Sequence, residues 1–171
     1  ESDWGDYDLA YVESVGVDPD LVVHAAEVLG RTRSAHLWRW PIPESLEALR
    51  GLAAIGIPMG VVSNASGQIE KVLRLSGVCQ LGDGPGVEMR VIVDSHVAGV
   101  AKPDPAIFDH ALPGFLDFER GRILYVGDSV TMDVASALAA GLHPVLLDPF
   151  DDHRGADFDR IASAADIVGW F

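Results

Sequence analysis

A hydroxyl group, a cation and two carboxylates are spread through the middle of the sequence, at Ser63, Lys102, Asp128 and Asp133. Mg²⁺ is commonly held by one or two carboxylates together with water and a substrate phosphate oxygen. An ammonium group neutralises phosphate charge, and a hydroxyl group hydrogen-bonds a phosphoryl oxygen. If the fold brings these side chains together, they form a plausible site for a phosphate group and a hard metal ion.

The predicted secondary structure gives a reason for them to meet. Apolar segments 57–62 and 123–126 are typical of buried strands, and they run into Ser63-Asn64 and Gly127-Asp128. Lys102 lies in a loop before a predicted helix. Open parallel sheets bind ligands outside the carboxyl ends of their strands. We therefore expect Ser63, Lys102, Asp128 and Asp133 to converge on one cleft at that edge of a sheet.

The alternation of strand and helix patterns from residue 41 onward predicts an α/β fold with a parallel sheet. The predicted strands are 57–62, 87–93, 123–126, 143–147 and 166–168, and the predicted helices are 44–55, 68–76, 103–112, 132–140 and 157–164. Before residue 41, segments 9–15 and 21–29 have the pattern of amphipathic helices with no strand between them. This part is predicted to be a separate helical module.

Three segments resemble motifs of the haloacid dehalogenase-like hydrolase superfamily. Val61-Val62-Ser63-Asn64 is similar to the second motif, an apolar strand that ends in Ser or Thr. Ala101-Lys102-Pro103-Asp104-Pro105-Ala106-Ile107-Phe108 is similar to the third motif, which carries a lysine. Val126-Gly127-Asp128-Ser129-Val130-Thr131-Met132-Asp133-Val134 is similar to the fourth, acidic motif. The order and spacing also agree, over about residues 41–149.

This resemblance implies a doubly wound, Rossmann-like parallel sheet with a small helical cap of the C1 type. It implies a Mg²⁺-dependent phosphomonoester hydrolase that acts on a small phosphorylated metabolite through an aspartyl-phosphate intermediate. Lys102 and Ser63 are then the catalytic residues. Ser63, Asn64 and Lys102 bind the substrate phosphate. Asp128 and Asp133 hold Mg²⁺.

The first motif of the superfamily, a strand that ends in Asp-x-Asp, is not recognisable in the sequence. Asp6-Tyr7-Asp8 has the matching letters, but residues 1–5 do not form the pattern of a buried strand. Residues 4–29 fit better as late helices of the cap. We therefore expect the nucleophilic aspartate to lie upstream of Glu1.

The domain organisation follows from the same comparison. Residues 1–40 are expected to be part of the helical cap, and residues 41–171 an α/β core that lacks its first strand. In the superfamily that strand lies between the strands ending at Ser63 and Asp128. These two strands should therefore not pair with each other, and should lie about two strand spacings apart, roughly 9–10 Å.

Composition restricts the partners. The chain has 12 Lys and Arg against 26 Asp and Glu, a net charge of −14, which argues against nucleic acid or an anionic membrane. A small phosphorylated substrate is compatible, because its binding depends on local charge. The sequence contains no apolar run near the roughly 18 residues of a membrane span. The single cysteine, Cys79, favours a reducing, cytoplasmic location.

Other functions share the same motifs. A haloacid dehalogenase uses the same aspartate without a metal ion, and the pair Asp128 and Asp133 disfavours it because halide displacement has no use for a metal site. A phosphomutase remains open, as does a non-catalytic phosphate-binding protein.

Among the other polar residues, Asp104 is expected to cap the helix after it. Residues 151–153 are expected to form a solvated acidic loop.

Overall fold

The computed structural model describes residues 4–32 and 40–171. The chain divides into two compact units, Glu1–Trp38 and Arg39–Phe171. No helix within the described residues is both long and apolar enough to cross a membrane.

The first unit is helical. Helix α1 spans Trp4–Ser14 and α2 spans Val22–Thr32, and a 3₁₀ turn at Pro19–Leu21 precedes α2. Val12 and Val22 are buried between the two helices. Tyr7 and Asp8 lie inside α1, so the Asp-x-Asp letters there do not follow a strand.

The second unit alternates short parallel strands with helices. Its strands are β1 (Gly60–Ser63), β2 (Cys79–Leu81), β3 (Val87–Met89), β4 (Val91–Asp94), β5 (Leu124–Gly127), β6 (His143–Leu147) and β7 (Asp159–Ile161). Its α-helices are α3 (Pro43–Ala54), α4 (Ile69–Leu75), α5 (Ser95–Ala98), α6 (Ala135–Ala139) and α7 (Ala165–Val168). 3₁₀ helices span Pro105–His110, Leu112–Phe115 and Arg120–Arg122, and a π-helical turn spans Val130–Val134.

The strand pairs are parallel, as predicted, and form three groups. β1 pairs with β4, β2 pairs with β3, and β5, β6 and β7 form a three-stranded sheet in that order. Within the described residues β1 and β5 belong to different sheets, as expected for these two strands. Their separation in ångström stays a prediction.

Helices cover both faces of these strands. On one face Ile107, Phe108 and Ala137 form a core against which Tyr125 packs. On the other face Leu52 of α3 and Ile167 of α7 pack with Val145 and the neighbouring Leu124. Adjacent residues of a strand point to opposite faces, so Leu124 and Tyr125 enter different cores. This layering is that of the predicted α/β fold.

Two predictions near the end of the chain are wrong. The predicted helix 157–164 contains strand β7, and the predicted strand 166–168 is the helix α7. β7 forms because the buried strand β6 offers a second edge, with Val145 opposite Asp159. α7 begins where the Asp166 carboxylate accepts the N–H groups of Ala162 and Ser163. Pairing and capping of this kind override the weak propensities of short segments.

Three other elements differ in detail from the sequence pattern. The predicted strand 87–93 is divided into β3 and β4, because the Arg90 N–H leaves the β3 ladder and bonds the Met59 carbonyl. The predicted helix 103–112 consists of two 3₁₀ segments. The predicted helix 132–140 is preceded by a π-helical turn that carries Asp133.

Candidate active site

Lys102 is tied to the end of β1 through its backbone. The Asn64 side-chain Nδ2 donates to the Lys102 carbonyl at 2.9 Å, and its Oδ1 accepts from the Lys102 N–H at 2.9 Å. Both ends of one amide are therefore used to hold the loop that carries the lysine. Ser63, the last residue of β1, is half-buried, and its hydroxyl makes no hydrogen bond to any residue that the structure describes. It is available to a ligand oxygen.

The loop after Asn64 is anchored by the end of β4. The buried Asp94 carboxylate accepts the N–H groups of Gly67 (2.8 Å), Ile69 (3.2 Å) and His96 (2.9 Å). Burial of Asp94 raises its pKa, but these backbone donors outweigh the burial and hold the pKa below its usual value. Asp94 stays a carboxylate, which lets it fix the loop and the start of α4 together.

Ser95 adds a second anchor to the same loop. Its Oγ accepts from the Ala65 N–H at 3.0 Å and donates to the Ala65 carbonyl at 3.2 Å. Sequence reasoning did not single out Asp94 or Ser95. A carboxylate and a hydroxyl directly after an apolar strand, at the same edge as Ser63, were the available signal.

The Lys102 ammonium lies in a largely buried ion pair. Its Nζ is 2.7 Å from Asp133 Oδ1, 2.7 Å from the Tyr125 hydroxyl and 3.3 Å from the Val62 carbonyl. The two charged side chains are only 10% and 6% exposed. A buried charge is tolerated when it is paired and its hydrogen bonds are filled, and both conditions hold here.

Asp133 is held on both carboxylate oxygens. Oδ1 accepts from Lys102 and lies 3.2 Å from the Tyr125 hydroxyl, while Oδ2 accepts the N–H groups of Asp128 (3.1 Å) and Ser129 (3.0 Å). A carboxylate offers about four lone-pair sites; the three N–H donors occupy three of them, and the Tyr125 hydroxyl is within reach of the fourth. Asp133 thus joins the lysine to the turn that follows β5.

The last residue of β5 has to be glycine. A Cβ atom added to Gly127 would lie 2.2 Å from Asp133 Cγ and 2.6 Å from Asp133 Oδ2. Ordinary carbon contacts are about 3.5–4.0 Å apart. The glycine therefore lets the Asp133 side chain lie directly over the strand end.

Asp128 differs from Asp133. Its side chain is exposed at the carboxyl end of β5, and the carboxylate makes no hydrogen bond within the described part of the chain. The next residue, Ser129, caps the following turn by accepting the Met132 N–H at 3.2 Å. The two acidic residues predicted as metal ligands are therefore adjacent, but only the Asp128 carboxylate has free acceptor sites.

The available ligand side chains suit Mg²⁺ better than a metal ion that takes all of its ligands from the protein. Among the described residues no group of three or more His, Cys, Asp and Glu side chains is placed to hold a metal ion. Mg²⁺ needs only one or two carboxylates, since it retains water and binds substrate phosphate. Asp128 meets this requirement directly. Asp133 contributes indirectly, because its carboxylate holds the turn that carries Asp128.

Tyr125 is a polar residue of the site that sequence reasoning missed, because segment 123–126 was interpreted as entirely apolar. Its ring packs edge-on against Phe108, with ring centroids 4.7 Å apart. Burial, and then the negative charge of Asp133, raise the pKa of Tyr125 far above its usual value. It is therefore a neutral phenol. The hydroxyl-bearing residue three positions before Asp128 was the available signal.

A second charged cluster lies at the carboxyl end of β6. Asp148 accepts from Arg160 at 2.7 Å and from the N–H groups of Asp152 and His153 at 3.0 Å each. Burial raises the pKa of Asp148, but Arg160 and the two N–H groups outweigh it and lower the pKa to about 2. Asp151 also accepts from Arg160. The predicted solvated loop 151–153 is thus organised around buried Asp148.

A shallow pocket of about 500 Å³ lies at the opposite, amino end of β6. It is lined by Gly121, Leu138, Leu142, His143, Pro144, Ala156, Asp157, Phe158 and Asp159. None of the predicted site residues lines it. We therefore place the candidate active site at the carboxyl edge, where the charged side chains meet, rather than in this pocket.

Comparisons with known proteins agree with the motifs. A model of the haloacid dehalogenase-like hydrolase family matches residues 16–141. Glyceraldehyde 3-phosphate phosphatase of Methanopyrus kandleri is 29% identical over 166 residues, which cover 90% of this chain and 67% of that protein. Haloacid dehalogenase-like hydrolase domain-containing protein 3 of Danio rerio is 33% identical over 111 residues, which cover 65% of this chain.

Solved structures show the same fold. A phosphatase of the family from Thermococcus onnurineus has a TM-score of 0.66 at 21% identity, covering 98% of this chain and 86% of that one. A 2-haloacid dehalogenase from Pseudomonas syringae has a TM-score of 0.60 at 22% identity, covering 96% of this chain and 67% of that one. Phosphatases and dehalogenases thus share this fold, so the fold does not distinguish their reactions.

The family match covers most of the sequence, so the chain belongs to the haloacid dehalogenase-like hydrolases. It spans about two fifths of the length of the curated relatives from Danio rerio, Bos taurus and Escherichia coli. The family and the α/β fold are therefore confirmed, and the sequence prediction of a hydrolase is confirmed at this coarser level.

Proposed function

We propose that the protein is a Mg²⁺-dependent phosphomonoester hydrolase that acts on a small phosphorylated metabolite. The observation that carries this proposal is the buried Lys102–Asp133 ion pair at 2.7 Å, whose Asp133 carboxylate also accepts the backbone N–H of Asp128, a residue with an exposed side chain. A fixed cation and a free carboxylate at one sheet edge suit a phosphate group bridged to a hard metal ion.

Each residue has a distinct proposed role. Lys102 neutralises the charge of the phosphoryl oxygens, and Ser63 donates a hydrogen bond to one of them. Asn64 contributes to phosphate binding by holding Lys102 through its reciprocal amide pair. Asp128 binds Mg²⁺ directly, and Asp133 completes the metal site by fixing the turn that carries Asp128.

Mg²⁺, when bound, would supply charge neutralisation on the phosphate and orient it. The nucleophile is proposed to be an aspartate in sequence that precedes Glu1, and it would form an aspartyl-phosphate that water then hydrolyses. The strand arrangement supports this, because β1 and β5 do not pair with each other within the described residues. Both strands keep an edge at which a further strand can pair.

The substrate class follows from charge and from the relatives. The net charge of −14 disfavours polyanionic partners, and one of the reported relatives is named as a phosphatase of glyceraldehyde 3-phosphate. We propose a small phosphate ester on these grounds. The lone buried Cys79 supports a cytoplasmic location.

The experiment is a hydrolysis assay of the full-length protein with p-nitrophenyl phosphate, with Mg²⁺ and with EDTA. We expect turnover that requires Mg²⁺ and is lost in Asp128→Asn, because a neutral amide is a poor Mg²⁺ ligand. Asp83→Asn is the matched control: it changes an exposed carboxylate in the loop between β2 and β3, and it should keep wild-type turnover.

Other outcomes select the alternative functions. Halide release from 2-chloropropionate without Mg²⁺ would identify a dehalogenase. Phosphate binding without turnover would identify a non-catalytic phosphate-binding protein. Exchange of phosphate between positions of a sugar phosphate would identify a mutase. Full activity of Asp128→Asn would remove the metal role from this residue.

A further inference from the structure

The Lys102 ammonium has a neutral partner whose role is not explained by the charges of the site. The Tyr125 hydroxyl lies 2.7 Å from Lys102 Nζ, as close as the Asp133 carboxylate does. It also lies 3.1 Å from the Val62 carbonyl and 3.2 Å from Asp133 Oδ1. The phenol therefore contacts a cation, a carboxylate and a strand carbonyl, and it can fix the relative positions of these three groups.

Hydrogen counting fixes the direction of these bonds. Lys102 Nζ has three N–H groups and no acceptor, so Tyr125 accepts from it. The single phenolic hydrogen is then donated to either Val62 O or Asp133 Oδ1, both of which are within reach.

We propose that Tyr125 is a positioning residue that holds the Lys102 ammonium in the orientation in which it stabilises the charge that develops on the phosphoryl group during transfer. This inference rests on the proposed function. Two N–H groups of Lys102 are held at 2.7 Å by Asp133 and Tyr125, while the third reaches Val62 O at a longer 3.3 Å. The longest contact is the weakest, so this third N–H is the one that turns to the substrate phosphate.

The packing of the ring makes the substitution clean. The Tyr125 ring is held edge-on by Phe108 at 4.7 Å, and Phe108 is only 2% exposed. Tyr125→Phe keeps this contact and removes the hydroxyl alone. Lys102 then loses one of its two short hydrogen bonds, and its ammonium keeps the short contact with Asp133 and the longer contact with Val62 O.

The test measures hydrolysis of p-nitrophenyl phosphate by the full-length protein with Mg²⁺. Tyr125→Phe removes one hydrogen bond to a charged group. The transition-state stabilisation lost with it should lower kcat by about 10- to 100-fold. KM should stay within about twofold, because a preorganised cation matters most when charge develops in the transition state. Ser76→Ala is the matched control, since among the described residues its hydroxyl bonds the Leu73 carbonyl alone.

A double-mutant cycle shows whether Tyr125 acts through Lys102. In a Lys102→Ala background, Tyr125→Phe should change kcat by less than about twofold, because the group it positions is gone. A purely structural tyrosine would give the same fold loss in both backgrounds and would overturn the inference. Urea unfolding of each variant confirms that rates are compared for folded protein.

The two proposals fail in different ways. An active wild-type protein with an unchanged Tyr125→Phe variant overturns the role of Tyr125 alone. A wild-type protein that neither hydrolyses the ester nor binds orthovanadate in the presence of Mg²⁺ overturns the proposed function, and the role of Tyr125 with it.

Discussion

Gly127→Ala is the substitution with the sharpest structural consequence. The new methyl carbon would lie 2.2 Å from Cγ and 2.4 Å from Cβ of Asp133, more than 1 Å inside an ordinary carbon contact. The Asp133 side chain cannot move aside without breaking hydrogen bonds, because Lys102 binds one carboxylate oxygen and the Asp128 and Ser129 N–H groups bind the other. The methyl group therefore displaces the buried carboxylate.

The expected loss of stability combines two effects. Overpacking of a filled site costs about 1–3 kcal/mol. Separating Asp133 from Lys102 leaves a buried charge without its partner, a change that costs about 3–5 kcal/mol when it is complete. The backbone and the helical turn relax in part, so the two costs do not add in full. We expect the free energy of unfolding to fall by about 3–5 kcal/mol, the size of the larger cost.

Urea unfolding of the full-length protein measures this loss. With a slope of about 2 kcal/mol per molar urea, the midpoint should fall by about 1.5–2.5 M. Gly121→Ala is the matched control, since a Cβ there meets nothing within 4 Å. Its midpoint should change by no more than the effect of a surface substitution, about 0.5 kcal/mol. Equal midpoints for the two variants would refute the close contact between Gly127 and Asp133.

The other predictions concern activity and pH. Lys102→Ala should lower turnover of p-nitrophenyl phosphate by roughly 10²–10³-fold, the scale of one preorganised charge stabiliser, and wild-type turnover would contradict its role. Ser63→Ala should lower it only about 2- to 10-fold, because one neutral hydrogen bond is lost; a larger loss than in Lys102→Ala would reverse the assigned roles. The pKa of Asp148 is about 2 in the folded protein, below the unfolded value of about 3.9, so its stabilising effect is present above about pH 4 and is lost as the pH falls toward 2. Urea midpoints of Asp148→Asn should therefore vary less between pH 2 and pH 5 than those of the wild-type protein, and parallel pH profiles would contradict this.

Local patterns were sufficient to predict the positions of Ser63 and Asp128 at the ends of strands. Ser63 ends β1 and Asp128 follows β5, and both strands are short apolar runs with a clear boundary. The Asp104 cap was also predictable, since its carboxylate accepts the N–H of Ala106 two residues later. These features depend only on residues a few positions away, so the local sequence is enough to predict them.

Features that depend on distant partners were not predictable in the same way. Asn64 pairs with a residue 38 positions away, and Tyr125 reaches Val62 across 63 positions. Strand β7 exists because β6 offers an edge to it, and its own residues carry only a weak strand pattern. In each case the partner, rather than the local pattern, decides the structure.

The convergence of phosphate and metal on one sheet edge is the central claim, and a crystal structure of the full-length protein with Mg²⁺ and orthovanadate tests it most directly. We predict Mg²⁺ at about 2.0–2.1 Å from an Asp128 carboxylate oxygen, the usual distance for this ion. The vanadate should accept hydrogen bonds from Lys102 Nζ and Ser63 Oγ at about 2.7–3.0 Å. Mg²⁺ or vanadate bound away from these three side chains would contradict the account.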